Sequence, residues 1–176
     1  MCGIYCSISL AKPLNVSEQT QRLLKDRGPD HYGCIHHTLT LSGKTIFMTF
    51  AASVLSLRRD ADDLPIQQPH VGSESDNILC WNGEAWQYDE LPIDGSDTNF
   101  VAAKLQQSQK QIPRRQSGIL KTLSKFAGPY AMIYLDEPDG KIFFGRDCVG
   151  RRSLLWTVTQ DGAFILSSVA DRTISD

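Results

Sequence analysis

Met1-Cys2-Gly3-Ile4-Tyr5-Cys6-Ser7-Ile8-Ser9-Leu10 opens the chain. From Gly3 to Leu10 the run is rich in β-formers with partial alternation, and it reads as a strand. Cys2 then stands at the start of a strand, a rigid place for a nucleophile. Removal of Met1 would leave Cys2 carrying a thiol and a free α-amine on one residue. The thiol attacks as thiolate. An α-amine, with a pKa near ~8, can take its proton directly or through a water. Methionine followed by a small residue is a common start, so the reading needs support from the rest of the chain.

Working outward, residues 17–26 read as a short helix with Leu23 and Leu24 on its apolar face. Gly28 is expected to supply a left-handed cap, and Pro29 to stop the helix. Strands are expected near 33–40, 45–54 and 77–81, with a polar loop from Arg58 to Asp76 holding Pro65 and Pro69. Asp97 reads as the N-cap of a helix through Phe100, Val101 and Leu105. Ile119, Leu120, Leu123 and Phe126 recur at helical spacing over 117–126. The polar stretch Gln106 to Gln116 reads as a surface connection between those helices. Four strands close the chain, at about 130–136, 141–145, 153–158 and 163–168. Asp139-Gly140 and Asp161-Gly162 form the hairpin turns between them. This order predicts an α+β fold, with two helices covering a sheet and another sheet behind. The tail Asp171 to Asp176 shows no closing element and reads like a cut, so the chain is expected to be the front of a longer protein.

A chain of 176 residues suits one domain with a substantial core. A net charge of −2 without a basic stripe argues against nucleic acid as a partner. No apolar run approaches the ~20 residues of a membrane span, and no signal peptide is evident. A cytoplasmic protein is expected. The five cysteines are odd in number and scattered, which argues against a disulfide framework. There is no C-x-x-C pair and no H-E-x-x-H motif, so no metal site is expected. His36 and His37 are adjacent and would point to opposite faces of a strand. Cys6, Cys34, Cys80 and Cys148 sit among apolar residues and are expected in the core.

Four segments in order strengthen the reading of Cys2. They are Met1-Cys2-Gly3-Ile4; Arg27-Gly28-Pro29-Asp30; Trp81-Asn82-Gly83-Glu84 with Gly95-Ser96-Asp97-Thr98; and Gly145-Arg146-Asp147-Cys148-Val149-Gly150-Arg151-Arg152-Ser153-Leu154. Together they resemble the glutaminase domain of class II glutamine amidotransferases, within the N-terminal nucleophile hydrolases. The similarity is greatest to asparagine synthetase domain-containing proteins, especially from Phe144 to Trp156. It covers essentially the whole chain, residues 1–176. It implies a four-layer αββα sandwich, with two antiparallel sheets between helical layers.

The resemblance also implies a chemistry: hydrolysis of the glutamine side-chain amide to glutamate and ammonia. Cys2 would attack the amide carbon, with its own amine handling the proton through a water. Asn82, by its side-chain amide, and Gly83, by its backbone N–H, would hold the oxyanion. Read from residues alone, Asn82-Gly83 is a type I′ hairpin turn, a reading compatible with that role. Glu84 and Asp97 would bind the substrate α-ammonium, although the first also reads as a surface carboxylate and the second as a helix cap. Arg27 would form part of the pocket wall; it and Asp30 also read as structural partners across the Gly-Pro turn. Arg146 and Asp147 are expected to pair with each other and hold a loop under the nucleophile. The implied partners are glutamine and a C-terminal asparagine synthetase-like domain, to which the ammonia would pass for asparagine synthesis or a related amidotransfer. No cofactor is implied for this domain. The chain has neither a Ser-Gly-Gly-x-Asp-Ser pyrophosphate loop nor a Walker A loop, so ATP and Mg would belong to that further domain.

The pattern breaks at Ser53-Val54-Leu55-Ser56-Leu57. Relatives active as asparagine synthetases carry, where Val54 stands, an arginine that grips the substrate α-carboxylate. Valine cannot replace bidentate, charge-assisted bonds. Arg58 or Arg59 is the candidate to reach in from the following loop. Trp86-Gln87-Tyr88 replaces a usual Tyr-Asn-Tyr, and Ser153 stands where proline is usual. The alternative is a weakened or inactive module of the same fold, with a regulatory or assembly role.

Overall fold

The strand Gly3–Ser9 buries both of its faces, and this sets the layering. Ile4 and Cys6 belong to one apolar cluster and Tyr5 to another, because successive strand residues point to opposite sides. The computed structural model describes residues 1–58, 64–73, 75–109 and 115–171. In chain order the elements are β1 (Gly3–Ser9), α1 (Glu18–Arg27), β2 (His31–Leu41), β3 (Lys44–Val54), β4 (His70–Val71) and β5 (Ile78–Gly83). There follow β6 (Gln87–Tyr88), β7 (Leu91–Pro92), α2 (Asp97–Gln109), α3 (Arg115–Leu123) and β8 (Phe126–Ala127). The chain closes with β9 (Tyr130–Asp136), β10 (Lys141–Arg146), β11 (Leu155–Val158) and β12 (Phe164–Ser167).

Two antiparallel sheets result, ordered β11-β12-β1-β3-β2 and β10-β9-β5-β4. Their facing sides share one core. Ile4, Cys6, Met48, Phe50 and Ala52 come from the first sheet, and Ile78, Cys80, Ala131, Ile133 and Leu135 from the second. Leu24 of α1 packs with Tyr5, Ala51 and Ile165 on the outer side of the first sheet. Val101 and Leu105 of α2 and Ile119 of α3 cover Leu79, Trp81, Met132 and Tyr134 on the outer side of the second. The architecture is therefore the expected α+β sandwich of four layers. Strands buried on both faces read as apolar runs, not clean alternation, which is why Ile78–Gly83 and Tyr130–Asp136 carry so few polar residues. A small third sheet, β7-β6-β8, was not anticipated. Its two-residue strands are too short to leave a periodic signal.

Several local expectations need correction. Ser96, not Asp97, caps α2: its carbonyl accepts from Phe100 N–H at 3.2 Å and its hydroxyl from Asn99 N–H at 3.2 Å. Gly28 is not left-handed, with φ −143° and ψ 86°. It is glycine because a Cβ there would lie 2.6 Å from the Val54 backbone. Asn82-Gly83 is not a hairpin turn but the end of β5, paired to Ala131 and Tyr130 of β9. Helix α3 ends at Leu123, Leu120 on it is exposed, and Phe126 belongs to β8. Gln106 to Gln109 extend α2, while 110–114 and the tail beyond Asp171 lie outside the described residues. The loop from Arg58 to Asp76 contains β4, and Gln68 within it is buried. Cys6 and Cys80 are buried as expected, but Cys34 and Cys148 are exposed. Cys34 lies on β2, an edge strand with one pairing partner, where alternate side chains face outward. The hairpin glycines Gly140 and Gly162 do take left-handed backbones, with φ 60° and 81°. Among the described residues no helix is long and apolar enough to cross a membrane.

Candidate active site

The register places Gly3 of β1 opposite Ser53 of β3, so the start of one strand meets the end of the other. Cys2 therefore lies beside Val54 and Leu55, and the end of β5 reaches the same pocket with Asn82, Gly83 and Glu84. Asp97, from the start of α2, completes this wall. The fold thus brings five of the six anticipated site residues to one pocket. The Cys2 thiol donates to the Leu55 carbonyl at 3.9 Å. Burial pushes the thiol above its ordinary value; the N-terminal ammonium and Arg152 oppose the rise, and Asp97 adds to it. A thiol so placed is protonated at neutral pH and needs a base to attack.

Arg27 is the sixth residue, and it does not line the pocket. Its Nε donates to the Cys2 carbonyl at 3.2 Å. Its Nη1 donates to the Ser168 carbonyl at 2.9 Å and to Ser153 Oγ at 3.1 Å. The guanidinium thus ties the backbone of Cys2 to the end of β12. Ser168 adds a reciprocal pair: its Oγ accepts from Ile4 N–H, and its N–H donates to the Ile4 carbonyl, both at 2.9 Å. Ser153 Oγ also donates to the Ser168 carbonyl at 2.7 Å. The serine in the usual proline position is therefore part of the support beneath Cys2. Asp30 accepts from Ser56 N–H at 2.7 Å, which steadies the segment after Val54.

Asn82 is fully buried, and neither its Oδ1 nor its Nδ2 has a protein partner. Buried polar side chains are nearly always paired. An amide left open in a pocket wall beside a cysteine is a ready oxyanion donor. Gly83 has a structural requirement as well: a Cβ would lie 2.6 Å from both the Pro129 carbonyl oxygen and Tyr130 Cβ.

Asp97 is held firmly. Its Oδ2 accepts from Trp81 Nε1 and from Ala85 N–H, each at 2.9 Å. Burial raises its carboxyl above the ordinary value, while these bonds and the Arg58 charge act against the rise. Trp81 is in turn fixed by stacking on Tyr130, with centroids 4.8 Å apart, and by its backbone N–H, which donates to Gln68 Oε1 at 2.7 Å. Glu84 Oε1 lies 3.5 Å from Arg58 Nη2.

Val54 is buried and presents only methyl groups. Arg58 and Arg152 line the pocket and bring positive side chains to it. Arg59 lies outside the described residues. The expected Arg146–Asp147 pair does not form. Asp147 instead accepts from Arg151 Nε at 3.0 Å and from the backbone N–H groups of Tyr130, Val149 and Arg151. Burial alone would raise its carboxyl, but the Arg151 guanidinium and those N–H groups outweigh it and hold it below the ordinary range. Sequence reasoning missed Gln68, Ser168 and Arg152. Nothing local marks the first two. Arg152 sits within a quoted motif but was read as part of a loop. Among the described residues no three His, Cys, Asp or Glu side chains are grouped to hold a metal.

The glutamine amidotransferase domain family matches residues 1–174. Asparagine synthetase domain-containing protein 1 of Homo sapiens is 32% identical over 177 residues, covering 98% of this chain and 25% of the relative. The protein of that name from Gallus gallus is 31% identical over 176 residues, covering 97% of this chain and 26% of the relative. The chain thus spans about a quarter of the length of these relatives. Among solved structures, the glutamine phosphoribosylpyrophosphate amidotransferase of B. subtilis superimposes with a TM-score of 0.59 at 18% identity. That match covers 94% of this chain and 41% of the other.

Proposed function

The chain belongs to the glutamine amidotransferase domain family, and from that premise we propose that Cys2, freed of Met1, hydrolyses the side-chain amide of glutamine. The α-amine takes the thiol proton through a water, and the thiolate forms a bond to the amide carbon. The carbonyl electrons move onto oxygen, where the Asn82 amide and the Gly83 N–H donate to them. The intermediate collapses with loss of ammonia, which carries away the proton, and leaves a glutamyl thioester on Cys2. Water then cleaves the thioester, giving glutamate and restoring the thiol. Glu84 and Asp97 hold the substrate ammonium. Arg27 is a positioning residue that fixes the Cys2 carbonyl.

The observation that carries this reading is the buried, unpartnered amide of Asn82 in the pocket that Cys2 lines. An oxyanion there would satisfy a group that the fold leaves open. We assign the ammonia acceptor, and any ATP- and magnesium-dependent step, to a C-terminal asparagine synthetase-like domain of a longer chain. Mass spectrometry of the native protein tests the premise of the chemistry. The expected N-terminal residue is Cys2 with an unmodified amine. Met1 retained throughout the native population overturns the mechanism, because an amide nitrogen cannot act as the base.

A further inference from the structure

The pocket beside Cys2 already contains a cation and an anion in contact. Arg58 Nη2 lies 3.5 Å from Glu84 Oε1, and both side chains are about one-third exposed, at 31% and 38%. The other arm of the guanidinium is anchored: Nη1 donates to the carbonyls of Ile93 at 3.2 Å and Ala85 at 3.4 Å. The Arg58 charge also acts on Asp97, so one cation stands next to both carboxylates of the pocket. An ion pair this exposed adds little to stability and is readily exchanged for another partner. A free α-amino acid carries an ammonium and a carboxylate on a single carbon, which is the complement of such a cluster.

We propose that Arg58 is the residue that selects the α-carboxylate of the substrate, and that its ion pair with Glu84 is the ligand-free arrangement that the substrate zwitterion replaces. The ammonium takes the place of Arg58 at Glu84, beside Asp97, and the carboxylate takes the place of Glu84 at Arg58 Nη2. Arg58 and Glu84 each keep an oppositely charged partner at both stages. The anchoring of Nη1 keeps the guanidinium in position through the exchange. Val54, at the end of β3, forms the apolar wall, and the charge arrives four residues later along the chain. Arg152, the pocket's other arginine, acts on the Cys2 thiol and belongs to the reacting end.

The proposal rests on the glutaminase reading, and ligand binding separates the two. Calorimetric titration of a Cys2→Ala protein with glutamine and with glutaminamide, whose carboxylate is neutralised, measures affinity without turnover. Adding Arg58→Ala is expected to weaken glutamine by about 10- to 100-fold, the loss of one charge-assisted contact. Glutaminamide is expected to bind no more weakly, because Glu84 has been released from its internal partner. Arg58→Lys keeps the charge without the fork and is expected to fall between; it carries the test if the alanine variant fails to fold. Equal weakening of both ligands, or glutamine binding that ignores Arg58, overturns the proposal and leaves the glutaminase reading standing. Absence of glutamine binding with Arg58 intact overturns that reading and the proposal with it.

Discussion

Replacing Asn82 with alanine should move stability and activity in opposite directions. In the folded protein the Asn82 amide is fully buried and neither of its polar atoms has a protein partner. A buried polar group left unsatisfied costs about 1–3 kcal/mol. Truncation relieves that cost and gives up some packing, so a net gain of up to about 2 kcal/mol is expected at the upper end. For a domain of this length each kcal/mol corresponds to roughly 2–4 °C in Tm. The same substitution removes the proposed oxyanion donor, for which the expected loss in kcat is about 100- to 1,000-fold. Thermal denaturation and steady-state glutamate release, measured on one preparation, give both readings. A variant that melts lower while keeping its kcat would refute the reasoning, since Asn82 would then be an ordinary core amide.

Asp97→Asn should raise stability at neutral pH. The native carboxyl titrates above its unfolded value, so the native state binds the proton more tightly, and stability falls as pH rises through that window. The penalty is absent below the unfolded value and fully present above the native one. Urea melts should therefore show the variant gaining on the parent at pH 7, with no such gain near pH 3, while glutamine binding weakens. Gly83→Ala places a Cβ 2.6 Å from the Pro129 carbonyl and should cost about 1–3 kcal/mol by denaturation. Asp147→Ala strands the buried Tyr130 N–H and should cost about 1–3 kcal/mol, mostly independent of pH near neutrality. The native Asp147 carboxyl lies below its unfolded value, so its contribution is present at neutral pH and is lost as pH falls through the native value.

The fold was legible because its strands are dense in apolar residues and its turns carry glycine. Tyr130–Asp136, Asp139-Gly140 and Asp161-Gly162 announce the closing hairpins without help from any relative. The layering was harder to read, since β1, β5 and β9 are buried on both faces and blur the period-2 signal. Spacing alone could not gather the site. Cys2, Asn82 and Asp97 come from the start of β1, the end of β5 and the start of α2, and only the face-to-face packing of the two sheets, with Asp97 bonded to Trp81 and Ala85, brings them into one pocket. Asp97 was found through the resemblance, and its local reading as a helix cap is what the structure replaces, since Ser96 is the cap and Asp97 accepts from Trp81 and Ala85. Arg58 stayed one of two candidates and Arg152 was missed, because an arginine in a loop has reach but no period. Which carboxylate it meets depends on how the loop folds, as the unexpected Arg151–Asp147 pair, formed within a single loop, also shows.

The central claim is that this chain is a glutaminase whose nucleophile is Cys2. Its most direct test is glutamate release from glutamine by the Met1-processed protein, with Cys2→Ala alongside and both proteins shown to be folded. The account predicts release by the processed protein that vanishes in the variant. Equal release by both, or no release by the processed protein in its full-length chain, would contradict it.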